Sequence, residues 1–157
     1  MARRYWLMKS EPEAFSIQAL AKAPKQTTFW DGVRNYQARN FLREMKVGDG
    51  ALFYHSNADP PAVVGTATVV REARPDPTQF DPKDGHYDPD SPEDNPRWFG
   101  VDIKLDGVFK RPVPLDELRT ISALENMVLL KRGRLSVQPV TADEWRAITK
   151  RGEARGT

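Results

Sequence analysis

The spacing of apolar residues predicts a chain of short strands. Val101, Ile103 and Leu105 alternate with charged residues, which is typical of a strand with one buried face. Runs rich in aromatic, Val or Thr residues predict further strands, which lie at 5–8, 50–56, 62–70 and 135–140. Strands and helices do not alternate regularly along the chain, so a parallel βαβ architecture is not indicated.

Helix-capping residues recur between the predicted strands. Ser16 and Asn35 are each placed to cap a helix, and Gly48 is expected to stop the second of these helices. Capping boxes at 122–125 and 141–144 predict two more helices, the first of which reaches about residue 130. Short helices among several short strands favour an α+β fold built on a small barrel.

The length of the chain sets the predicted domain organisation. With 157 residues, the sequence fits one domain that is large enough to hold a hydrophobic core. Residues 1–150 are predicted to form this domain. Residues 151–157 contain a single apolar side chain, at Ala154, and are predicted to be a flexible tail.

Charge is distributed unevenly along the sequence. The segment 75–96 contains six Asp, one Glu and one Lys, a net charge of −6, whereas the whole chain has a formal charge of +2. The rest of the chain therefore carries +8, which favours an anionic partner such as nucleic acid. An ordinary surface balanced by one acidic loop is the alternative. The same segment contains six prolines, so it is predicted to be an irregular loop, and loops of that length are often functional.

Composition excludes several kinds of site. The sequence contains no cysteine, so it offers no disulfide, thiol nucleophile or cysteine-ligated zinc. It also has no signal peptide and no run of the ~20 apolar residues that a membrane-spanning helix needs. We therefore expect a soluble cytoplasmic protein that binds no membrane, metal or cofactor. A monomer is favoured, although the sequence leaves the oligomeric state open.

Six sequence motifs resemble those of one known family, the EVE domain family. The motifs are YWLMKSEP at 5–12, WDGVRNYQARN at 30–40, FYHS at 53–56, YDP at 87–89, PRW at 96–98 and RLSVQPV at 134–140. The resemblance covers about residues 4–150. It implies a PUA-like fold, a mixed β-pseudo-barrel of about five to six strands with short peripheral helices, related to YTH and ASCH domains. It also implies binding of a modified base in DNA or RNA.

An aromatic pocket is the feature that base recognition needs, because a base is flat and its edges are polar. Trp30 and Trp98 lie at junctions between loops and regular elements, so they are the predicted walls; the alternative is that both are core residues. Asn35 and Ser10 are the predicted readers of the base edge, with helix capping as the competing role of Asn35. The remaining predicted pocket residues are Val33, Tyr54, His55, Ser56, Ser136, Gln138 and Pro139.

Basic side chains in two regions are the predicted contacts to phosphate groups. Arg39, Arg43 and Lys46 share one helical face, a pattern that also suits any solvated helix. Such contacts fix the register of a nucleic acid and make its binding depend on salt. The other predicted phosphate contacts are Lys9, Arg34, Arg132 and Arg134.

The sequence thus predicts a nucleic-acid-binding module that recognises a modified, for example methylated, base and is not an enzyme. It contains no recognisable catalytic motif. One alternative is a small ASCH-like hydrolase of modified nucleosides, in which Lys9, Glu11 and His55 supply acid, base and electrostatic roles. A second alternative is an interaction module for a protein or a small molecule.

Overall fold

The computed structural model describes residues 3–153. The strands are β1 (Tyr5–Ser10), β2 (Thr27–Phe29), β3 (Gly50–His55), β4 (Ala62–Pro75), β5 (Phe99–Pro114) and β6 (Val137–Val140). The α-helices are α1 (Ile17–Lys22), α2 (Tyr36–Glu44), α3 (Leu115–Leu118), α4 (Val128–Lys131) and α5 (Ala142–Glu153). Short 3-10 turns occupy Pro24–Gln26, Pro77–Phe80 and Ser122–Leu124.

The six strands form one mixed sheet in the order β2-β5-β4-β3-β1-β6. Strands β1 and β3 pair in parallel, and the other ladders of the described strands are antiparallel. Helix α2 packs against both β5 and β6, so the two ends of the sheet approach each other and the sheet curls. No backbone ladder joins β2 to β6 within residues 3–153. The result is the predicted pseudo-barrel, open along a seam between its two edges.

Two hydrophobic cores cover the two faces of the sheet. Strand β1 contributes to both, because Trp6 and Met8 belong to the core inside the barrel while Leu7 belongs to the second core. Successive strand residues point to opposite faces, so a strand buried on both sides reads as a continuous apolar run. Helix α5 closes the second core through Ile148. The second core thereby covers part of the outer face of the barrel, and the two edges of the sheet leave the seam open.

Three of the predicted helix caps are confirmed. The side chain of Ser16 accepts a hydrogen bond from the Ala19 backbone N–H at 3.0 Å. In the second capping box the Thr141 backbone N–H donates to Glu144 at 2.9 Å, and the Glu144 N–H donates to the Thr141 hydroxyl at 3.1 Å. Asn35 caps α2 in the same way, as described with the site below. These caps are local hydrogen bonds, which is why the sequence alone reveals them.

The predicted capping box at 122–125 is wrong. Residues Ser122–Leu124 form a 3-10 turn without a side-chain cap, and α4 begins only at Val128. Leu124 and Met127 are fully buried in the second core, and the extended backbone of Met127 separates the two turns. Burial of these side chains therefore overrides the local preference for one continuous helix.

Several element boundaries also differ from the prediction. Helix α2 ends at Glu44, before the expected stop at Gly48, which has a positive φ of 97° in the following turn. Strand β2 has only three residues and was not predicted, and β4 and β5 run longer because they pair with each other.

The predicted tail at 151–157 is helical over its first three residues, since α5 continues to Glu153. Gly152 is buried, and its backbone lies so close to the Phe109 ring that a Cβ would not fit. Residues 154–157 lie outside the described part of the chain. Among the helices of residues 3–153, none has both the length and the apolar character needed to cross a membrane.

Candidate functional site

An opening in the protein surface that combines aromatic and polar walls lies at the seam. This seam cavity has a volume of about 530 Å³. Its walls come from β1, the segment before α1, strand β2 with the turn that follows, the acidic loop and the turn before β6. The lining residues are Lys9, Ser10, Glu11, Ala14, Phe15, Thr28, Phe29, Trp30, Asp31, Gly32, Val33, Arg34, His86 and Ser136.

Trp30 forms the inner aromatic wall of the seam cavity. Its side chain is 7% exposed, and its backbone N–H donates to the Val101 carbonyl at 2.8 Å. Phe15 and Phe53 hold the indole edge-on, with ring centroids 6.5 and 5.4 Å away and interplanar angles of 90° and 85°. These contacts fix the indole plane, so the wall is rigid before any ligand arrives. Phe29 lines the cavity beside it.

Polar groups from β1 and the turn before β6 line the opposite side. The Ser10 hydroxyl donates to the Phe15 carbonyl at 2.6 Å, which leaves its oxygen free to accept. The Lys9 ammonium donates to the Gly133 carbonyl, and partial burial lowers the pKa of Lys9. Ser136 pairs with β1 through its carbonyl, which accepts from the Lys9 backbone N–H at 2.9 Å.

Asp31 places a carboxylate in the cavity wall. Partial burial, together with repulsion from Asp76 and Asp84, raises the pKa of Asp31, although His86 acts in the opposite direction. No other residue in the range 3–153 donates a hydrogen bond to this carboxylate, and the Asp31 backbone N–H lowers its pKa only slightly. Asp31 is an exposed residue, so its carboxylate lies at the mouth of the cavity and is accessible to a ligand.

A buried ion pair attaches the acidic loop to the cavity wall. The side chain of Asp76 is completely buried and accepts from Arg34 at 3.1 Å and from the Gly32 backbone N–H at 2.8 Å. Thr78 donates to the same carboxylate through its N–H and hydroxyl at 2.8 and 2.7 Å. Burial by itself raises the pKa of Asp76, but the hydrogen bonds from Thr78, Gly32 and Arg34 outweigh it and hold the pKa below its usual value.

Arg34 holds the acidic loop in place, and its contacts with Asp76, Thr78 and His86 are called the clamp below. Arg34 also donates to the His86 carbonyl from two nitrogens, at 3.0 and 2.8 Å, and to Thr78 at 2.9 Å. Its donors are therefore used within the protein, and the prediction that Arg34 contacts phosphate is corrected. The clamp brings His86 of the acidic loop into the cavity wall.

Gly32 is required where the clamp meets the cavity. Its φ is +80°, a conformation that residues with a side chain rarely adopt. A Cβ at this position would lie 2.8 Å from His86 Nε2. The glycine of the motif at 30–40 therefore allows the acidic loop to pack directly on the turn after Trp30.

Trp98 does not share a cavity with Trp30, so the predicted pair of facing tryptophans is corrected. Trp98 stacks on Tyr36 with ring centroids 4.9 Å apart, and its indole N–H donates to Asp88 at 2.7 Å. It is 6% exposed and serves to anchor the acidic loop against the start of α2. The hydrogen bond from Trp98 is the main reason that the pKa of Asp88 is lowered.

Three other predicted pocket residues lie elsewhere. Asn35 caps α2 by accepting from the Ala38 N–H at 2.9 Å, so the capping role prevails. Tyr54 is 3% exposed in the second core, where burial raises its pKa. His55 accepts from the Ile17 N–H at 3.1 Å and lines a separate groove; its pKa is lowered by burial, which fits a neutral acceptor. The hydrolase hypothesis loses its histidine, because His55 is not in the cavity of Lys9 and Glu11.

The last predicted pocket residues support the site from outside its walls. Ser56 pairs with Ser10 through its backbone N–H at 3.0 Å, and Pro139 pairs with β1 opposite Trp6. Gln138 is fully buried and donates to the carbonyls of Leu135 and Arg132, at 2.7 and 3.1 Å. It therefore holds the turn before β6 in shape. Of the predicted pocket, the cavity lining contains Ser10, Trp30, Val33 and Ser136.

A second, smaller pocket adjoins the seam cavity and is strongly basic. This basic pocket has a volume of about 260 Å³ and is lined by Asn35, Lys131, Arg132, Gly133, Arg134 and Leu135. The contact between Lys9 and the Gly133 carbonyl joins the two pockets. Arg132 donates to Gln37 at 2.8 Å, and the exposed Arg134 forms no ion pair within the described range 3–153.

The predicted basic face of α2 is less available than this pocket. Arg39 donates to the Arg97 carbonyl at 3.0 Å, and Arg43 lies over the Phe99 ring at 4.7 Å. Lys46 falls beyond the end of α2 and faces Glu72 at 4.0 Å. Each cation already has a partner within the protein, although all three stay near the surface.

Sequence reasoning does not identify seven of the cavity residues: Ala14, Phe15, Thr28, Phe29, Asp31, Gly32 and His86. Two of them, Asp31 and Gly32, directly follow Trp30 within the motif at 30–40, so their position in that motif was an available signal. His86 lies in the acidic loop, and only the fold brings that loop to the seam. Within the described part of the chain, no cluster of three or more His, Asp or Glu side chains is arranged to hold a metal ion.

The fold and the site define a PUA-like domain with a ligand-sized cavity at the open seam of its barrel. The sequence matches the EVE domain over residues 4–151, so the chain belongs to the EVE domain family. It is 52% identical to human thymocyte nuclear protein 1 over 158 residues, a match that covers 90% of this chain and 70% of the human protein.

Solved structures show the same similarity. The structure of the human THYN1 protein in complex with DNA containing 5-methylcytosine superimposes with a TM-score of 0.92 at 49% identity, covering 97% of this chain and 99% of that one. A hypothetical protein from Leishmania major gives 0.93 at 45% identity, covering 97% and 96%. An ASCH protein from Zymomonas mobilis gives 0.55 at 13% identity, covering 94% and 98%, which shows a shared fold.

Proposed function

We propose that this protein binds nucleic acid and holds one modified base, such as 5-methylcytosine, in the seam cavity. The observation that carries the proposal is a cavity with rigid aromatic walls directly beside a basic pocket. The DNA complex of the human relative supports it, because that protein is 49% identical and superimposes over nearly the whole chain. An intracellular location is part of the proposal, since DNA and RNA are found there.

The seam cavity suits a single base in size and chemistry. Its volume of about 530 Å³ lies within the range of about 300–1,000 Å³ that is usual for small-molecule sites. Trp30 and Phe29 offer apolar surface for a flat ring and a methyl group, and Ser10 and Asp31 offer polar atoms for its edge. A base reaches such a cavity only after leaving its stack, at a cost of a few kcal/mol that contacts with the walls must offset.

The basic pocket is the proposed site for the phosphate groups that flank this base. Lys131, Arg132 and Arg134 surround it, and the contact between Lys9 and Gly133 places it next to the cavity. Phosphate contacts provide affinity that depends on salt but not on sequence. In this arrangement the seam cavity selects the base and the basic pocket binds the phosphate groups of the strand.

Titration at fixed salt with oligonucleotides that differ only in one methyl group tests the proposed function. We expect tighter binding to DNA or RNA with a 5-methylated cytosine than to the unmethylated strand, because the methyl group is buried against apolar walls. Burial of one methyl-sized group contributes about 0.8 kcal/mol, which is roughly a fourfold preference.

A variant in which the seam cavity is blocked is the matched control for that titration. Ala14 lines the cavity and is exposed, so Ala14→Trp fills the opening without disturbing the core. The variant is expected to lose the preference for the methylated strand and to keep the salt-dependent part of binding. If Ala14→Trp preserves the full preference, the base is bound elsewhere and the proposed function of the cavity is wrong.

Arg134→Gln is expected to weaken binding to methylated and unmethylated strands equally. Removing one phosphate contact lowers the slope of log affinity against log salt by about one. Fluorescence anisotropy at several salt concentrations measures that slope. Arg146→Gln is the control, because Arg146 is exposed on α5 and lines neither pocket; an equal change in both variants would contradict the role of the basic pocket.

A further inference from the structure

Two carboxylates, Glu11 and Asp31, line the seam cavity, and Asp31 is the one that directly follows Trp30 in the chain. We propose that the Asp31 carboxylate accepts a hydrogen bond from the exocyclic amine of the bound base, and so makes the cavity prefer cytosine-type bases to thymine. This inference rests on the proposed function and adds to it a residue that sets specificity. It concerns the polar edge of the base, whereas the methyl preference concerns the apolar walls.

The position of Asp31 in the chain supports this role. Asp31 directly follows Trp30, and both residues line the seam cavity. The Trp30 indole is held by Phe15 and Phe53, and the next peptide unit is held by the Gly32 N–H, which donates to Asp76 at 2.8 Å. The backbone of Asp31 is therefore held in place by the contacts of the residues directly before and after it. A ring that packs against the indole has its edge within reach of the neighbouring carboxylate.

The hydrogen-bonding state of Asp31 also supports a donor from outside the protein. A carboxylate has about four acceptor positions, and in the segment 3–153 no other residue donates a hydrogen bond to that of Asp31. The guanidinium of Arg34, which lines the same cavity, is bound to Asp76, Thr78 and the His86 carbonyl. Because partial burial and two neighbouring carboxylates raise the pKa of Asp31, an additional donor would stabilise its charged form.

The same carboxylate disfavours a carbonyl in the position of the amine. Cytosine presents an amino group where thymine presents an oxygen, and 5-methylcytosine and thymine carry the same ring methyl group. Thymine would place its oxygen against the Asp31 carboxylate, so two acceptors would meet without a proton between them. One well-placed polar contact of this kind changes discrimination by about tenfold or more. Comparison of these two bases keeps the apolar contacts equal and changes the polar edge, where thymine has an oxygen in place of the amine and an N3–H in place of the N3 acceptor.

The test uses duplexes that carry either 5-methylcytosine or thymine opposite an abasic site, so that neither base loses a pairing partner. We expect the wild-type protein to bind the 5-methylcytosine duplex about tenfold more tightly. In Asp31→Asn the two affinities should come within about threefold of each other, because a turned amide can donate to the thymine oxygen. Asp31→Ala should also lose the preference, through loss of the acceptor.

Asp116→Asn is the charge-matched control, because Asp116 is exposed on α3 and lines neither pocket. It should keep the full preference of the wild-type protein. Asp31→Asn should fold normally, since it removes a charge that Asp76 and Asp84 repel, and thermal unfolding checks this.

Two results would overturn the inference in distinguishable ways. If Asp31→Asn retains the tenfold preference while Ala14→Trp abolishes it, the cavity binds the base and Asp31 does not read the amine. If the two duplexes bind equally to the wild-type protein and Ala14→Trp changes nothing, the proposed function itself fails, and the role of Asp31 fails with it.

Discussion

Replacing Trp30 by leucine is expected to weaken binding to a methylated oligonucleotide by about 1–2 kcal/mol, which is roughly five- to thirtyfold. The indole is the rigid wall of the seam cavity, held edge-on by Phe15 and Phe53. Leucine keeps an apolar side chain in the core but offers no flat surface for stacking. The loss should fall on the base-selective part of binding and leave the salt dependence unchanged.

Trp98→Leu is the matched control for this experiment. Both tryptophans are almost equally buried, at 7% and 6% exposure, but only Trp30 lines the cavity. Trp98→Leu should lower the stability of the acidic loop, because its hydrogen bond to Asp88 is lost, while the affinity changes by less than about twofold. Equal losses of affinity in the two variants, measured under conditions where both are folded, would contradict the assignment of the wall to Trp30.

Asp76→Ala is expected to lower the free energy of unfolding by about 3–5 kcal/mol. Asp76 is completely buried and accepts hydrogen bonds from Arg34, Gly32 and Thr78. Removing it leaves the guanidinium and two backbone N–H groups without their acceptor, and loss of one partner of a buried ion pair is strongly destabilising. Urea denaturation measures the change. Binding should weaken as well, because His86 and Gly32 lose the clamp that holds them in the cavity wall.

Asp90→Ala tests whether the loss of stability in Asp76→Ala comes from the ion pair with Arg34. Asp90 lies in the same acidic loop but is exposed. Its replacement removes one charge of the same sign and should change the free energy of unfolding by less than about 0.5 kcal/mol. If Asp76→Ala lowers the free energy of unfolding no more than Asp90→Ala does, the ion pair between Asp76 and Arg34 does not stabilise the fold.

Local chemistry explains which parts of the fold could be predicted from the sequence. The caps at Ser16, Asn35 and Thr141 are hydrogen bonds between residues three apart, so their signal lies entirely within the sequence. The box at 122–125 shows the same signal and fails, because Leu124 and Met127 are drawn into the second core. Which apolar residues are buried depends on the position of the sheet, and local spacing does not contain that information.

The site was predicted in part for a similar reason. Trp30, Ser10 and Ser136 lie in three distant motifs, and the curled sheet brings them together at its seam. Trp98 lies at a loop junction as Trp30 does, so the sequence predicts both in the same pocket. The path of the acidic loop, fixed by Asp76 and Gln79, turns Trp98 toward Asp88 and brings His86 to the cavity instead. No spacing in the sequence distinguishes these two outcomes.

The acidic loop is therefore a structural part of the site, even though its charge matches that of nucleic acid. Gln79 is fully buried and donates to the carbonyls of Asp76 and Trp98, at 2.7 and 2.8 Å, while Ser91 donates to it at 2.6 Å. These bonds give an irregular, proline-rich segment a defined path. Of its residues, only His86 reaches the cavity lining.

A structure of this protein bound to a 5-methylcytosine oligonucleotide would show directly where the base lies. The methylated base should lie in the seam cavity with its ring against Trp30, its amine at the Asp31 carboxylate, and the adjacent phosphates at the basic pocket. A complex in which the base stays stacked in the strand, with the seam cavity empty, would show that the cavity is not the base-binding site.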